Sequence, residues 1–135
     1  MASQSQFQQR IDASQTSITK MVFPNTTNNY STLFGGTLME WMDEIGFIVA
    51  TRFSRQKMVT VSMDRIDFKK PIPAGHMVEL NGRVSKIGNT SLEVEVEVFK
   101  ETMYDTRREL AVTGHLTFVA VDDDQKPTPL SVHSG

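Results

Sequence analysis

The sequence predicts an α+β domain in which one long buried helix is wrapped by a curved antiparallel sheet. Three observations lead there. Apolar residues recur at spacings of three and four across residues 38–53, which is helical periodicity. Four long strand-like runs follow that helix. The connections between them are of hairpin length, two of them marked by Gly, Pro or Asn, which favours antiparallel neighbours.

The elements follow in order. Residues 1–14 (MASQSQFQQRIDAS) are polar and rich in Gln and Ser, and are expected to form a flexible N-terminal segment. The domain is expected over residues 15–130, with a tail over 131–135. Residues 15–23 (QTSITKMVF) alternate weakly and read as a first strand. Residues 24–32 (PNTTNNYST) collect turn formers. Gly35-Gly36-Thr37 then opens the helix, which runs to about Phe53. Leu38, Trp41, Met42, Ile45, Ile48, Val49 and Phe53 form its main stripe, and Met39, Phe47 and Ala50 add apolar groups elsewhere. A helix apolar on most sides is a buried one.

The first long strand covers residues 58–68 (MVTVSMDRIDF) and ends before Pro71, Pro73 and Gly75. The second covers 77–87 (MVELNGRVSKI), and Gly88-Asn89 supplies a hairpin turn. In the third, residues 91–99, Leu92, Val94, Val96 and Val98 alternate with Glu93, Glu95 and Glu97. One face is apolar and the other acidic, the pattern of a half-buried antiparallel strand. The fourth covers 110–121 (LAVTGHLTFVAV), and the polar run 122–129 stops it. One apolar helix and one sheet must bury each other.

Composition narrows the function. The 135 residues suit one domain, and their net charge is -2. The 14 Lys and Arg are dispersed, so no nucleic-acid partner is expected. Without cysteine there is neither a disulfide nor a thiolate metal site. The start lacks the apolar core of a signal peptide, and no run approaches the roughly 20 apolar residues that span a bilayer. A cytoplasmic protein with no membrane partner is expected. His76, His115 and His133 show no metal-ligand spacing, so no metal is expected. No serine sits in a nucleophile-elbow context.

Two features carry possible chemistry. Glu40, Asp43 and Glu44 share one helix face, which by spacing alone reads as a solvated face. Gly35 and Gly36 sit where the first helical N–H groups lack intrahelical partners. Such N–H groups, at the positive end of the helix dipole, suit an oxyanion, although glycines at a loop–helix junction also serve simply as turn formers.

The segment FPNTTNNYSTLFGGTLMEWMDEIGFIVATR resembles acyl-CoA thioesterases of the YciA and brain acyl-CoA hydrolase type. So do VTVSMDRIDFKKPIPAGHMVELNGRVSKIGNTSLEVEVEV and ELAVTGHLTFVAVDDDQKPTPL. The resemblance spans about residues 20–130 and implies the hotdog fold. It also implies an acyl-CoA substrate and no metal or organic cofactor, coenzyme A entering only as part of the substrate. It implies a dimer that forms the site, three such pairs commonly making a hexamer. The family's catalytic carboxylate falls on Asp43, and its oxyanion N–H on Gly35 or Gly36. A polar residue of the preceding loop, Asn28 or Thr32, falls near the attacking water. Where relatives carry Asn-His-His-Gly or Asn-Ala-Asn-Gly, this chain has Asn28-Asn29-Tyr30-Ser31.

Beside that resemblance, Ser62, Met63 and Asp64 are candidates for lining a pantetheine channel. The turn Gly88-Asn89-Thr90-Ser91 resembles the family segment beside the pantetheine and phosphates, and is equally a plain hairpin turn. Arg65, among several Lys and Arg, is a candidate for the CoA phosphates or for pairing with Asp64 or Asp67.

Asp43 lies eight residues after Gly35, roughly 12 Å along one helix. A carboxylate acting on a carbonyl held at Gly35 must come within about 3–4 Å, directly or through one water. The helix start of one chain should therefore meet Asp43 of another. Asp43 would act as general base or as nucleophile. The alternative expectation is a hotdog protein that binds or senses acyl-CoA without hydrolysing it.

Overall fold

The computed structural model describes residues 4–133. In chain order the elements are helix α1 (Gln4–Ser14), strand β1 (Thr16–Met21), a 3-10 turn (Pro24–Thr26) and helix α2 (Gly35–Ser54). Strands β2 (Met58–Phe68), β3 (Met77–Ile87), β4 (Ser91–Glu101) and β5 (Arg108–Ala120) follow, then a 3-10 turn (Ser131–His133). The five strands form one antiparallel sheet in the order β1-β3-β4-β5-β2. Helix α2 packs against all five, the arrangement the sequence predicts.

Alternation drives this burial. Leu92, Val94, Val96 and Val98 of β4 are buried, together with Leu116 and Phe118 of β5 and Leu80 and Val84 of β3. They meet Met42, Ile45, Val49 and Phe53 of α2. Each such side chain contributes about 1.5–3 kcal/mol when fully buried. Gly114 of β5 makes room under the helix. A Cβ there would lie 2.5 Å from both Ile66 Cδ1 and Met42 Cε, so the missing side chain lets these two share one space.

The first residues differ from the expected flexible segment. Residues 4–14 form α1, and Phe7 and Ile11 pack against the core. Two apolar residues one turn apart were outweighed in the sequence by Gln and Ser. Arg10 fastens the helix by donating to the Phe53 carbonyl at 2.8 Å and the Ser131 hydroxyl at 3.1 Å. Residues 1–3 of that segment, and 134–135 of the tail, lie outside the described residues. Elsewhere the strands shift only at their ends. β4 and β5 reach two residues further than expected because Lys100 pairs with Glu109 and Glu101 with Arg108 in register.

Strand β2 lies at a free edge of the sheet. Its pairing with β5 is interrupted between Thr60 and Ser62 and between Asp64 and Asp67. At the second break Arg65 adopts a left-handed φ of 51°. Such bulges bend an edge strand and turn its side chains.

Candidate active site

The loop before α2 is fixed by short-range bonds. Asn28 N–H donates to the Thr32 carbonyl at 2.8 Å, and Phe34 N–H to Thr26 at 3.0 Å. The Asn28 side chain holds the inside of this turn. Its Oδ1 accepts from Tyr30 N–H at 2.9 Å, Thr32 N–H at 3.2 Å and the Thr32 hydroxyl at 3.1 Å. Backbone N–H groups can only donate, so the atom facing them is the amide oxygen. The amide nitrogen is thus left as Asn28's donor to a water or ligand. Leu33 N–H to Ile72 and Ala74 N–H to Ser31 tie the loop to the segment that follows β2.

The loop delivers the chain to an uncapped helix start. Phe34 is the N-cap residue and offers no side-chain cap. The first intrahelical bond runs from Leu38 N–H to Phe34 at 3.0 Å, so the N–H groups of Gly35, Gly36 and Thr37 precede the helical ladder. A cleft of about 380 Å³ opens beside them, lined by Thr32, Leu33, Gly35, Phe68, Lys69, Lys70 and Pro71.

Asp43 lies two turns along the same unbroken helix and is half-buried. The Thr60 hydroxyl of β2 donates to its Oδ1 at 2.9 Å, which leaves Oδ2 to accept from another partner. Met39 and Phe47, one turn to either side, are exposed, so the carboxylate sits in an uncovered apolar strip. Thr60 was not legible from sequence. Its signal exists only once β2 is known to run beside α2.

The candidate substrate residues spread further apart. Ser62 is exposed on the β2 edge, while Met63 turns toward the core. Asp64 and Arg65 pair at 3.8 Å, and Arg65 reaches over β5 to Glu93 of β4 at 2.8 Å. There Ser85 donates to Glu93 at 2.9 Å, and His115 Nδ1 lies 3.0 Å from it. Burial pushes the Glu93 carboxyl up, but Ser85, His115 and Arg65 together hold it below its ordinary value. Gly88, Asn89, Thr90 and Ser91 form the β3–β4 turn. Gly88 N–H closes it on the Ser91 carbonyl at 2.7 Å, and Leu130 N–H and the His133 ring bond its Asn89 and Gly88 carbonyls. That turn stands at the far end of β3 from the Ser31–Ala74 contact, roughly 35 Å at the usual rise of a strand. One protomer therefore groups Asn28, Thr32, Gly35 and Gly36, places Asp43 on Thr60 further along α2, and leaves residues 88–91 apart.

Among the described residues no three His, Cys, Asp or Glu side chains are grouped to hold a metal ion. None of their helices is long and apolar enough to cross a membrane.

The family model described as thioesterase superfamily matches residues 30–106, from the second half of the loop, after Asn28, through α2, β2, β3 and β4. This chain belongs to the thioesterase superfamily. It is 49% identical over 112 residues to YkhA of Bacillus subtilis, named as an uncharacterized acyl-CoA thioester hydrolase. That match covers 83% of this chain but only 65% of YkhA, so the chain spans slightly less than two thirds of that relative's length. It superposes on the Staphylococcus aureus acyl-CoA hydrolase, solved with butyryl coenzyme A and coenzyme A, with a TM-score of 0.85. Identity there is 38%, covering 89% of this chain and 73% of that one. A hexameric acyl-CoA thioesterase matches with a TM-score of 0.86 and 38% identity, over 89% of this chain and 77% of its own. The superfamily's hotdog fold is thus the fold of this chain. The S. aureus enzyme has also been solved with alanine replacing a threonine, an aspartate and an asparagine.

Proposed function

We propose that this protein hydrolyses acyl-CoA thioesters to free coenzyme A and a carboxylic acid, in sites shared between two copies of the chain. The observation that carries the reading is the Asp43 carboxylate, bonded by Thr60 on a helix whose start offers uncapped N–H groups. The kinship with acyl-CoA hydrolases supports the substrate class.

The chemistry follows from the groups. The thioester carbonyl oxygen accepts from the N–H of Gly35 or Gly36 at the start of one α2. Asp43 of the other copy takes a proton from water as the water oxygen attacks the carbonyl carbon. The oxyanion that forms is held by the helix-start N–H groups and dipole. When it collapses, the C–S bond breaks and the CoA thiolate leaves, taking back as thiol the proton that Asp43 took from the water, which restores the carboxylate. Direct attack by the Asp43 carboxylate, through a mixed anhydride, is the alternative route through the same atom. Asn28, whose amide nitrogen remains a free donor type, and Thr32 serve the water or the carbonyl. No cofactor enters this scheme.

Sharing between copies follows from the helix. Gly35 and Asp43 stand roughly 12 Å apart along α2, too far to act on one carbonyl. The free β2 edge and the exposed Met39, Phe47 and Val61 near Asp43 give a second copy a surface to cover. The hexameric relative supports a trimer of such dimers. A second copy also brings other segments within reach, so Ser62, Met63, Asp64 and Arg65 and the turn 88–91 remain assigned to CoA binding. We place the protein in the cytoplasm, where a cysteine-free chain and a highly charged thioester are both at home.

The test is free-thiol release from acyl-CoAs of increasing chain length, with Asp43→Ala beside the wild type. Turnover lost in the variant, with oligomer and CoA binding retained, is expected. Binding of acyl-CoA by the wild type without thiol release would replace this reading with that of a non-catalytic acyl-CoA binding protein.

A further inference from the structure

Phe68 is the last residue of β2 and is 54% exposed, an unusual setting for so large an apolar ring. Its place is set by the end of the ladder. Lys69 N–H and Lys70 N–H both bond the Ala111 carbonyl, at 2.8 and 3.1 Å, and turn the chain away from β5. The ring then lies over the start of α2. A Cβ built on Gly35 would meet Phe68 Cζ at 3.8 Å, and the two residues line the same cleft. Nothing in the core explains the ring, since the core cluster does not include it.

We infer that Phe68 is a positioning residue for the thioester group, its ring walling the carbonyl site above the N–H groups of Gly35 and Gly36. The inference rests on the proposed hydrolysis and deepens it. Uncapped N–H groups in an open cleft are hydrated, and water competes with the oxyanion for them. An apolar ring at van der Waals distance keeps water off one side and strengthens the remaining hydrogen bonds. It also gives the thioester a flat surface to pack on. Because the carbonyl is common to every acyl-CoA, the effect of the ring is independent of acyl length.

The test is steady-state thiol release by wild type, Phe68→Ala, Phe68→Leu and Phe68→Tyr over short, medium and long acyl-CoAs. Oligomeric state and thermal midpoint are measured alongside. Phe68→Ala is expected to lower kcat about tenfold or more with a smaller change in KM, by the same factor for every chain length. Phe68→Tyr should restore most of kcat. Phe68→Leu, which keeps apolar bulk, guards against a variant that merely loses its assembly, and should fall between. Wild-type kcat in a well-assembled Phe68→Ala or Phe68→Leu would overturn the inference and leave the hydrolase reading standing. A loss that grows with chain length would also overturn it, by making the ring an acyl-chain contact. Absence of turnover in the wild type would overturn the hydrolase reading itself, and this inference with it.

Discussion

The Thr60 hydroxyl donates to Oδ1 of Asp43 at 2.9 Å, joining the edge strand β2 to the middle of α2. A hydrogen bond to a charged group is worth about 1.5–3 kcal/mol. Thr60→Ala is therefore expected to lower kcat about 10- to 100-fold, since each 1.36 kcal/mol is tenfold in rate. Thr60→Ser, which keeps the hydroxyl, should retain most activity. Thiol-release kinetics on the two variants, with thermal unfolding as a control, checks this.

The oxyanion donor is open to a backbone test. Proline is tolerated in the first turn of a helix and removes the N–H. Phe34, at φ -59° and ψ 133°, already has the conformation required before a proline, so Gly35→Pro should fold normally. Gly36→Pro keeps proline within the first turn but follows the helical Gly35, a conformation proline disfavours in its predecessor, so its thermal midpoint is measured beside its kinetics. One of the two is expected to lose about 10²–10³ in kcat while the other stays active. Parallel kinetics on both names the donor.

Gly114→Ala is expected to destabilise the fold. Its Cβ would stand 2.5 Å from Ile66 Cδ1 and Met42 Cε, so both side chains must move. Overpacking of this kind costs about 1–3 kcal/mol. Urea unfolding measures the loss. Activity should fall as well, because Met42 neighbours Asp43 in the chain.

Glu93 makes stability depend on pH in acid. Its carboxyl is held below the ordinary value of 4.5 by Ser85, His115 and Arg65, which together outweigh the opposing effect of burial. The folded state then binds fewer protons than the unfolded state as pH drops below that value. The stabilisation is present in full above it and is lost as pH falls through the lower folded value. Denaturation midpoints measured from pH 7 to pH 3 should decline for the wild type. Glu93→Gln should be less stable at pH 7 and decline less steeply.

Removal of metal is expected to leave turnover unchanged, because water, Asp43 and backbone N–H groups supply every step of the proposed reaction. Assay after exhaustive dialysis against a chelator checks this.

Much of this was legible in the chain, for identifiable reasons. The regular alternation of Leu92 to Val98 and the three–four spacing from Leu38 to Phe53 report burial directly, so β4 and α2 could be read. The strand limits at Phe68, Met77 and Ile87 were marked by Pro, Gly and Asn. Helix α1 was missed because Phe7 and Ile11 are its only apolar residues packed on the core and nine other residues dilute them. Thr60 and Phe68 were missed for a different reason. Each acts on a residue far away in sequence, across the α2–β2 contact, and local pattern carries no trace of such a pairing. The link between Asn28 and Thr32 is local, and their turn was the part of the loop that composition did reveal.

The central claim is that two chains build each site, and subunit mixing tests it most directly. Asp43→Ala protein and the inactive proline variant at Gly35 or Gly36 would be unfolded together, refolded as a mixture and assayed for thiol release. In a mixed dimer one site inherits both defects and the other neither, so about a quarter of wild-type activity should return. Mixtures no more active than either parent, despite demonstrated mixed oligomers, would contradict the account by placing both groups of a site on one chain.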